Sequence, residues 1–284
     1  MIHVTSLLTV VLALLLLTTP VTAAPFFFST GDPDGKMATA SRPDIPSGTE
    51  IESADDFILS SHTKITSATF TGLLPTGAPL GNITDVVVEI YRVFPKDSTN
   101  PPDNRVPSRN NSPSDVAFDS RDSAAKTLSF SAAILNASFT AANSVLNGIH
   151  PLPNVKTMGE GAVTGEEVQF TVNFASPFDL PADHYFFIPQ VLLSSGNFFW
   201  LSAPNPIVDG TGPFTPDLQE WIRNADLDPD WLRVATDIVG TAPPVFNAVF
   251  SLTGATVPEP ATLLLLGSGL VGLAVYYRGR RRKR

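Results

Sequence analysis

The sequence predicts a mainly β protein: an antiparallel β-sandwich or jelly-roll-like exported domain with one or two short helices, followed by a C-terminal transmembrane helix. Short segments rich in Val, Ile, Phe, Tyr and Thr recur between turns built from Gly, Pro, Asn, Asp and Ser, as in antiparallel sandwiches. Glu167 to Phe174 alternates strictly: Val168, Phe170, Val172 and Phe174 are apolar, and Gln169, Thr171 and Asn173 are polar. That is the period of a strand with one buried and one wet face. Strand–helix alternation is absent, which argues against Rossmann and TIM architectures.

Residues 1–23 read as a secretory signal peptide. Leu7 to Leu17 is an uncharged apolar run, and Val21-Thr22-Ala23 supplies small residues for cleavage between Ala23 and Ala24. The start carries His3 but no Lys or Arg. The exported domain then covers 24–253. Residues 24–50 are rich in Pro, Gly, Ser and Asp and are expected to be extended with little regular structure. Strands are expected at 53–59, 65–73 and 85–94, the last a β-branched and aromatic run ended by Pro95. Residues 95–123 form a long polar, Pro-containing loop. Further strands are expected at 128–139, 167–174, 185–193, 198–202 and 246–253. One short helix is expected from Thr215, with Pro216 at its first position and Leu218, Trp221 and Ile222 on one face. A second helical turn is expected near Ala141 to Leu146.

The exported segment holds all 27 acids and twelve of the 18 cations, a net charge of −15. This argues against nucleic acid and anionic membrane surfaces as partners. There is no cysteine, so disulfides, thiol catalysis and zinc–thiolate sites are excluded. The core must supply the stability, and a chain of this size buries enough apolar surface to do so.

Residues 254–260 are expected as a linker. Ala261 to Tyr277 follows, 17 residues without a charge. As a helix it would rise about 25 Å, at the short end for a hydrocarbon core of about 30 Å. Residues 278–284 hold six cations, Arg278, Arg280, Arg281, Arg282, Lys283 and Arg284, which keep this end on the cytoplasmic side. Gly267, Gly269 and Gly272 leave a small-residue face on the helix. A generic membrane anchor fits these facts. The triplet Pro258-Glu259-Pro260, the short helix immediately after it and the terminal Arg cluster also resemble the PEP-CTERM sorting signal, recognised by exosortase-type membrane proteases. Pro258, Glu259 and Pro260 match the triplet residue by residue, and Gly267 to Gly272 and the Arg tail match the remaining parts. The resemblance implies that the helix and tail are removed. It also implies a Gram-negative host that makes exopolysaccharide. The expected partners are therefore the export machinery, an exosortase and exopolysaccharide, with the cell surface or extracellular matrix as destination.

The chain lacks G-x-S-x-G, H-E-x-x-H, a Walker loop and a contextual G-x-G-x-x-G. Glu166 and Glu167, like Asp55 and Asp56, are adjacent on strands. Their side chains point to opposite faces, so neither pair can act on one substrate. His62, His150 and His184 have no neighbouring ligand pattern, and His184 is expected to make a structural hydrogen bond. Asn224, Asp226, Asp228 and Asp230 place oxygens at every second position, like the opening of a calcium loop, yet Pro229 and the missing twelfth-position Glu depart from that loop. The alternative is an acidic turn beside Trp231. Asp32-Pro33-Asp34-Gly35 is a second calcium candidate, and the favoured alternative is a plain turn. Trp200, Trp221 and Trp231 are candidates for sugar stacking, against core packing.

No enzyme activity and no cofactor beyond calcium is expected. The leading expectation is a non-catalytic surface or matrix protein. The alternatives are a carbohydrate-binding or calcium-dependent adhesive module, and a hydrolase whose carboxylates come from distant strands.

Overall fold

The computed structural model describes residues 23–44, 49–94, 111–150, 155–204, 218–224, 231–240 and 246–258, together with 269, 272, 273 and 278. Pro25–Ala255 forms one compact unit, and the remaining residues group separately.

The chain is mainly β. In order, the strands are β1 (Pro25–Ser29), β2 (Met37–Ala40), β3 (Ile51–Leu59), β4 (Thr63–Leu74), β5 (Ile83–Arg92), β6 (Asp119–Asp122), β7 (Leu128–Ala141) and β8 (Asn143–Val145). There follow β9 (Val163–Leu180), β10 (Asp183–Leu193), β11 (Phe199–Ala203), β12 (Trp221–Asn224), β13 (Leu232–Arg233), β14 (Asn247–Ala248) and β15 (Phe250–Thr256). One sheet runs β1-β15-β4-β11-β2-β8, with β14 on β11, β9 on β4 and β7 on β9. The other runs β13-β12-β3-β10-β5-β6. Neither closes on itself. β2 and β8 run parallel, a departure from the all-antiparallel expectation.

Alternate side chains of both sheets share one core. Phe57 of β3, Val88 of β5 and Phe187 of β10 meet Phe70 of β4, Phe170 of β9, Trp200 of β11 and Phe250 of β15. Phe187 stacks on Phe250 with centroids 5.0 Å apart and meets Trp200 edge-on at 6.1 Å. Such ring pairs add to the stabilisation from burial itself. Backbones also approach closely. A Cβ on Gly254 would lie 2.1 Å from the Lys64 carbonyl oxygen, and one on Gly72 would lie 2.2 Å from the Phe198 ring.

The six-stranded sheet is buried on its other face as well. Ala54, Tyr91, Phe186, Ile188 and Trp221 form a second cluster there with Leu218 and Trp231. This explains why β3 and β10 show no polar alternation: neither has a wet face along most of its length.

The strands expected within 53–59, 65–73, 85–94, 128–139, 167–174, 185–193 and 198–202 are present. Other expectations need correction. Residues 24–50 contain β1 and β2, and β6 lies at the end of the expected polar loop. The helical turn expected at Ala141–Leu146 is occupied by the end of β7 and by β8. Of the helix expected from Thr215, residues up to 217 lie outside the described set, and Trp221–Asn224 is a strand. Leu218, Trp221 and Ile222 do not share a face. Leu218 and Trp221 join one cluster and Ile222 another, because adjacent strand residues point to opposite sides. The expected final strand divides at Val249, whose N–H donates to the Leu201 carbonyl. β15 then continues to Thr256, three residues into the segment expected as linker. The one regular helical segment of more than three residues among those described, Val234–Val239, is a π-helical turn closed by Gly240 at φ 81°.

Candidate functional site

The densest polar cluster lies on the outer face of the six-stranded sheet. β12 pairs with β3 so that Arg223 faces Glu52. Glu89 and Tyr91 lie two apart on β5 and so share a face. Gln190 comes from β10, and Glu50 immediately precedes β3. Glu50, Glu52 and Glu89 each bring a carboxylate oxygen within 4.8 Å of the others.

Arg223 holds this cluster together. Its Nε donates to Glu52 Oε2, its Nη2 donates to Tyr91 Oη at 3.0 Å and its Nη1 donates to the Asp115 carbonyl at 3.3 Å. Tyr91 donates its hydroxyl to Glu52 Oε1 at 2.8 Å, with Glu89 Oε2 at 3.3 Å. Gln190 Nε2 donates to Glu50 Oε1 at 2.7 Å. The guanidinium lies 4.6 Å from the Trp231 ring centroid, a cation–π arrangement.

The electrostatics follow from burial. The Glu89 carboxyl is pushed up to about 8, first by burial and then by the Glu52 charge, against the Tyr91 hydrogen bond. Glu50 is raised by burial and by Glu52, with Gln190 opposing. Burial and Glu52 also raise Tyr91 well above its ordinary value. Burial acts to lower Arg223, and the Glu52 charge and its hydrogen bond outweigh it, so the guanidinium is held more firmly charged.

A protonated carboxyl beside a carboxylate can serve as a general acid with a partner base, and three carboxylates can serve a hard cation. Both uses need access. Glu52 is 0 % exposed and paired with Arg223, whereas Glu50 and Glu89 are half-buried. The cluster ties β3, β5, β10 and β12 together.

A second buried carboxyl, Glu220, precedes β12 and is 2 % exposed. Thr39 Oγ1 donates to it. Burial pushes this carboxyl up to about 8, the Thr39 hydrogen bond opposes, and the Asp34 charge adds to the rise. Asp34 itself accepts from Ser202 Oγ at 2.5 Å and from the Lys36 N–H at 3.0 Å. Neither cluster stood out in the sequence. Glu89 sits between Val88 and Ile90 with Tyr91 two residues on, a faint sign of polar burial. Its meeting with Glu52 depends on which strands become neighbours.

Asn224 ends β12 opposite Ile51, while Asp226, Asp228 and Asp230 lie outside the described residues. The tryptophans are not stacking platforms. Trp200, Trp221 and Trp231 are all buried, and their indole N–H groups donate to the carbonyls of Val249, Leu218 and Ser114. Core packing overrides the sugar-binding alternative for these rings. His184 Nε2 lies 2.7 Å from Asp56 Oδ2. Asp55 accepts from the Ala248 N–H instead, as opposite faces require.

β1 and β15, the first and last strands described, pair antiparallel from Pro25↔Ala255 to Ser29↔Ser251. The Ala24 N–H donates to Thr256 Oγ1 at 3.0 Å, and the Thr256 N–H donates to the Ala24 carbonyl at 2.9 Å. Ala23 precedes this ladder, and Pro258 follows it after the single residue Val257. Glu259 and Pro260 lie outside the described residues, as do Arg280, Arg281, Arg282, Lys283 and Arg284. Gly269, Gly272, Leu273 and Arg278 are helical. Among the described residues no helix is long and apolar enough to cross a membrane, and most of 261–277 lies outside them.

Residues 256–282 match the family model of the PEP-CTERM protein-sorting motif. The chain carries a PEP-CTERM sorting motif. The match opens on Thr256, the last residue of β15, so the PEP-CTERM segment begins where the sheet ends. The motif marks the chain for exosortase processing, export and transient membrane anchoring by a C-terminal signal. No curated protein and no solved structure matches the chain.

Proposed function

We propose that this is a non-catalytic protein of the cell surface or extracellular matrix, associated with exopolysaccharide. A signal peptide of residues 1–23 exports it. The helix at 261–277 holds it briefly in the membrane, with the basic tail 278–284 on the cytoplasmic side, and an exosortase releases it at Pro258-Glu259-Pro260. The delivered part is a β-sandwich domain. The reading rests on one observation, the PEP-CTERM match at 256–282.

Two structural facts support it. The β1–β15 ladder lies between the two expected cuts, so removing both ends leaves the strands of the domain intact. The core shared by the two sheets supports a sandwich.

Intact mass and cell fractionation in an exosortase-bearing host test the proposal, beside a strain with Pro258, Glu259 and Pro260 all replaced by Ala. The wild type should lose its C-terminal helix and reach the surface or medium, while the variant stays full-length in the membrane. An intact C-terminus in both strains would reduce the segment to a simple anchor.

A further inference from the structure

Sheet edges expose unpaired N–H and C=O groups that invite another strand, and folded proteins blunt them with short length, charge, proline or bulges. Most edges here are blunted. Among the described residues, β13 has two residues and β8 has three. β6 has four, with Asp119, Arg121 and Asp122 among them. β1 has five and opens with Pro25. β7 is different. It has 14 residues and contains no charge and no proline, and among the described residues it pairs only with β9. Its register slips only after Ile134, so Leu128–Ile134 is a regular ladder against Phe174–Val168. Ser129, Ser131 and Ala133 are exposed, and Ile134 is 46 % exposed.

We propose that this edge joins two copies of the chain, by antiparallel pairing of Leu128–Ile134 across a two-fold axis at Ser131. A two-fold normal to the sheet pairs a strand with itself in this sense, and Ser131 is the midpoint of the regular stretch. The sequence is complementary to itself about that point. Phe130 faces Ala132 of the second copy, large against small, and Leu128 faces Ile134. On the opposite face, Ser129 meets Ala133 and Ser131 meets Ser131, all small enough for close approach. Charge also selects a second copy. The exported segment carries −15, so two copies repel over most of their surface. Thr127 to Val155, 29 residues without Asp, Glu, Lys or Arg, is the longest uncharged stretch between the signal segment and the sorting motif. Two copies approach there with the least repulsion. Seven paired residues bury less than the roughly 800 Å² per partner of a standard stable interface, so the pairing is concentration-dependent and favoured where copies are crowded.

Cysteine crosslinking of the full-length chain in detergent tests the register. The protein has no cysteine of its own, so each introduced thiol reports alone. A disulfide needs Cα atoms within about 7 Å. Under mild oxidation Ser131→Cys should give a dimer. Ser129→Cys and Ala133→Cys should each stay monomeric alone, since each lies about 13 Å along the strand from its own copy, yet should crosslink when mixed. Ser60→Cys, also exposed, is the background. Adding Ile134→Lys to Ser131→Cys should abolish the dimer while tryptophan fluorescence keeps its folded signature. The proposal is overturned if Ser131→Cys crosslinks no more than Ser60→Cys, if all positions crosslink alike, or if Ser131→Cys captures a different polypeptide. None of these outcomes depends on C-terminal processing, so a failure of sorting leaves the test intact.

Discussion

Replacing Glu220 with Gln changes how stability varies with pH, and the size of the change follows from the burial of one carboxyl. The group is raised from its ordinary 4.5 to about 8. Below pH 4.5 it is protonated in both the folded and the unfolded chain. Between 4.5 and 8 the folded chain keeps a proton that the unfolded chain has released, so stability falls as pH rises. The slope is about 1.4 kcal/mol per pH unit, and the loss levels off at about 5 kcal/mol above pH 8. Gln keeps the side-chain volume and an acceptor oxygen for Thr39 Oγ1, and it has no proton to lose. Set equal at pH 4.5, the variant should be about 3 kcal/mol more stable than wild type at pH 7 and about 4 kcal/mol at pH 8. Any constant offset from the amide leaves that difference in slope unchanged. Glu89 titrates in the same window, but it does so in both proteins and cancels. Urea unfolding of the full-length chain in detergent, followed by tryptophan fluorescence from pH 4.5 to 8, measures it. All three tryptophans are buried within the sheets' cores, so the signal reports the domain. Parallel stability curves for the two proteins would refute the placement of a neutral carboxyl at this position.

Arg223→Met should cost about 3–5 kcal/mol, because it leaves the fully buried Glu52 without its counter-charge; adding Glu52→Gln should recover most of the loss in a double-mutant cycle. Phe187→Ala should cost about 3–5 kcal/mol, since the ring touches Phe70, Trp200 and Phe250 at the centre of the shared core; an unchanged urea midpoint would contradict that packing. Gly254→Ala should cost about 1–3 kcal/mol, because the new methyl meets the Lys64 backbone at 2.1 Å, whereas Gly81→Ala, with open space around its Cβ, should stay within about 0.5 kcal/mol of wild type.

How much of this was legible in the sequence depends on what each residue had to meet. The class, the core strands and the sorting motif were legible because their signals are local. Val168, Phe170, Val172 and Phe174 show their buried face by alternation alone, and Pro258-Glu259-Pro260 is read as a contiguous string. β1 and β2 were not legible, since β1 takes its place by pairing with β15 more than 200 residues away. Trp221 and Ile222 misled because both faces of β12 are buried. Apolar neighbours at helical spacing then look like one stripe, although the strand sends them to different clusters.

The sequence by itself determined a cysteine-free, strongly acidic, β-rich chain and a C-terminal sorting segment. Only the tertiary structure decided that Glu52, Glu89 and Arg223 form one buried network, that the three tryptophans belong to cores, and that β7 keeps a long neutral edge. The physical reason is the range of the interactions. Side-chain period, net charge and contiguous motifs are properties of neighbours along the chain. The Glu52–Arg223 contact joins residues 171 apart, and its existence rests on strand order and register, which no local window contains.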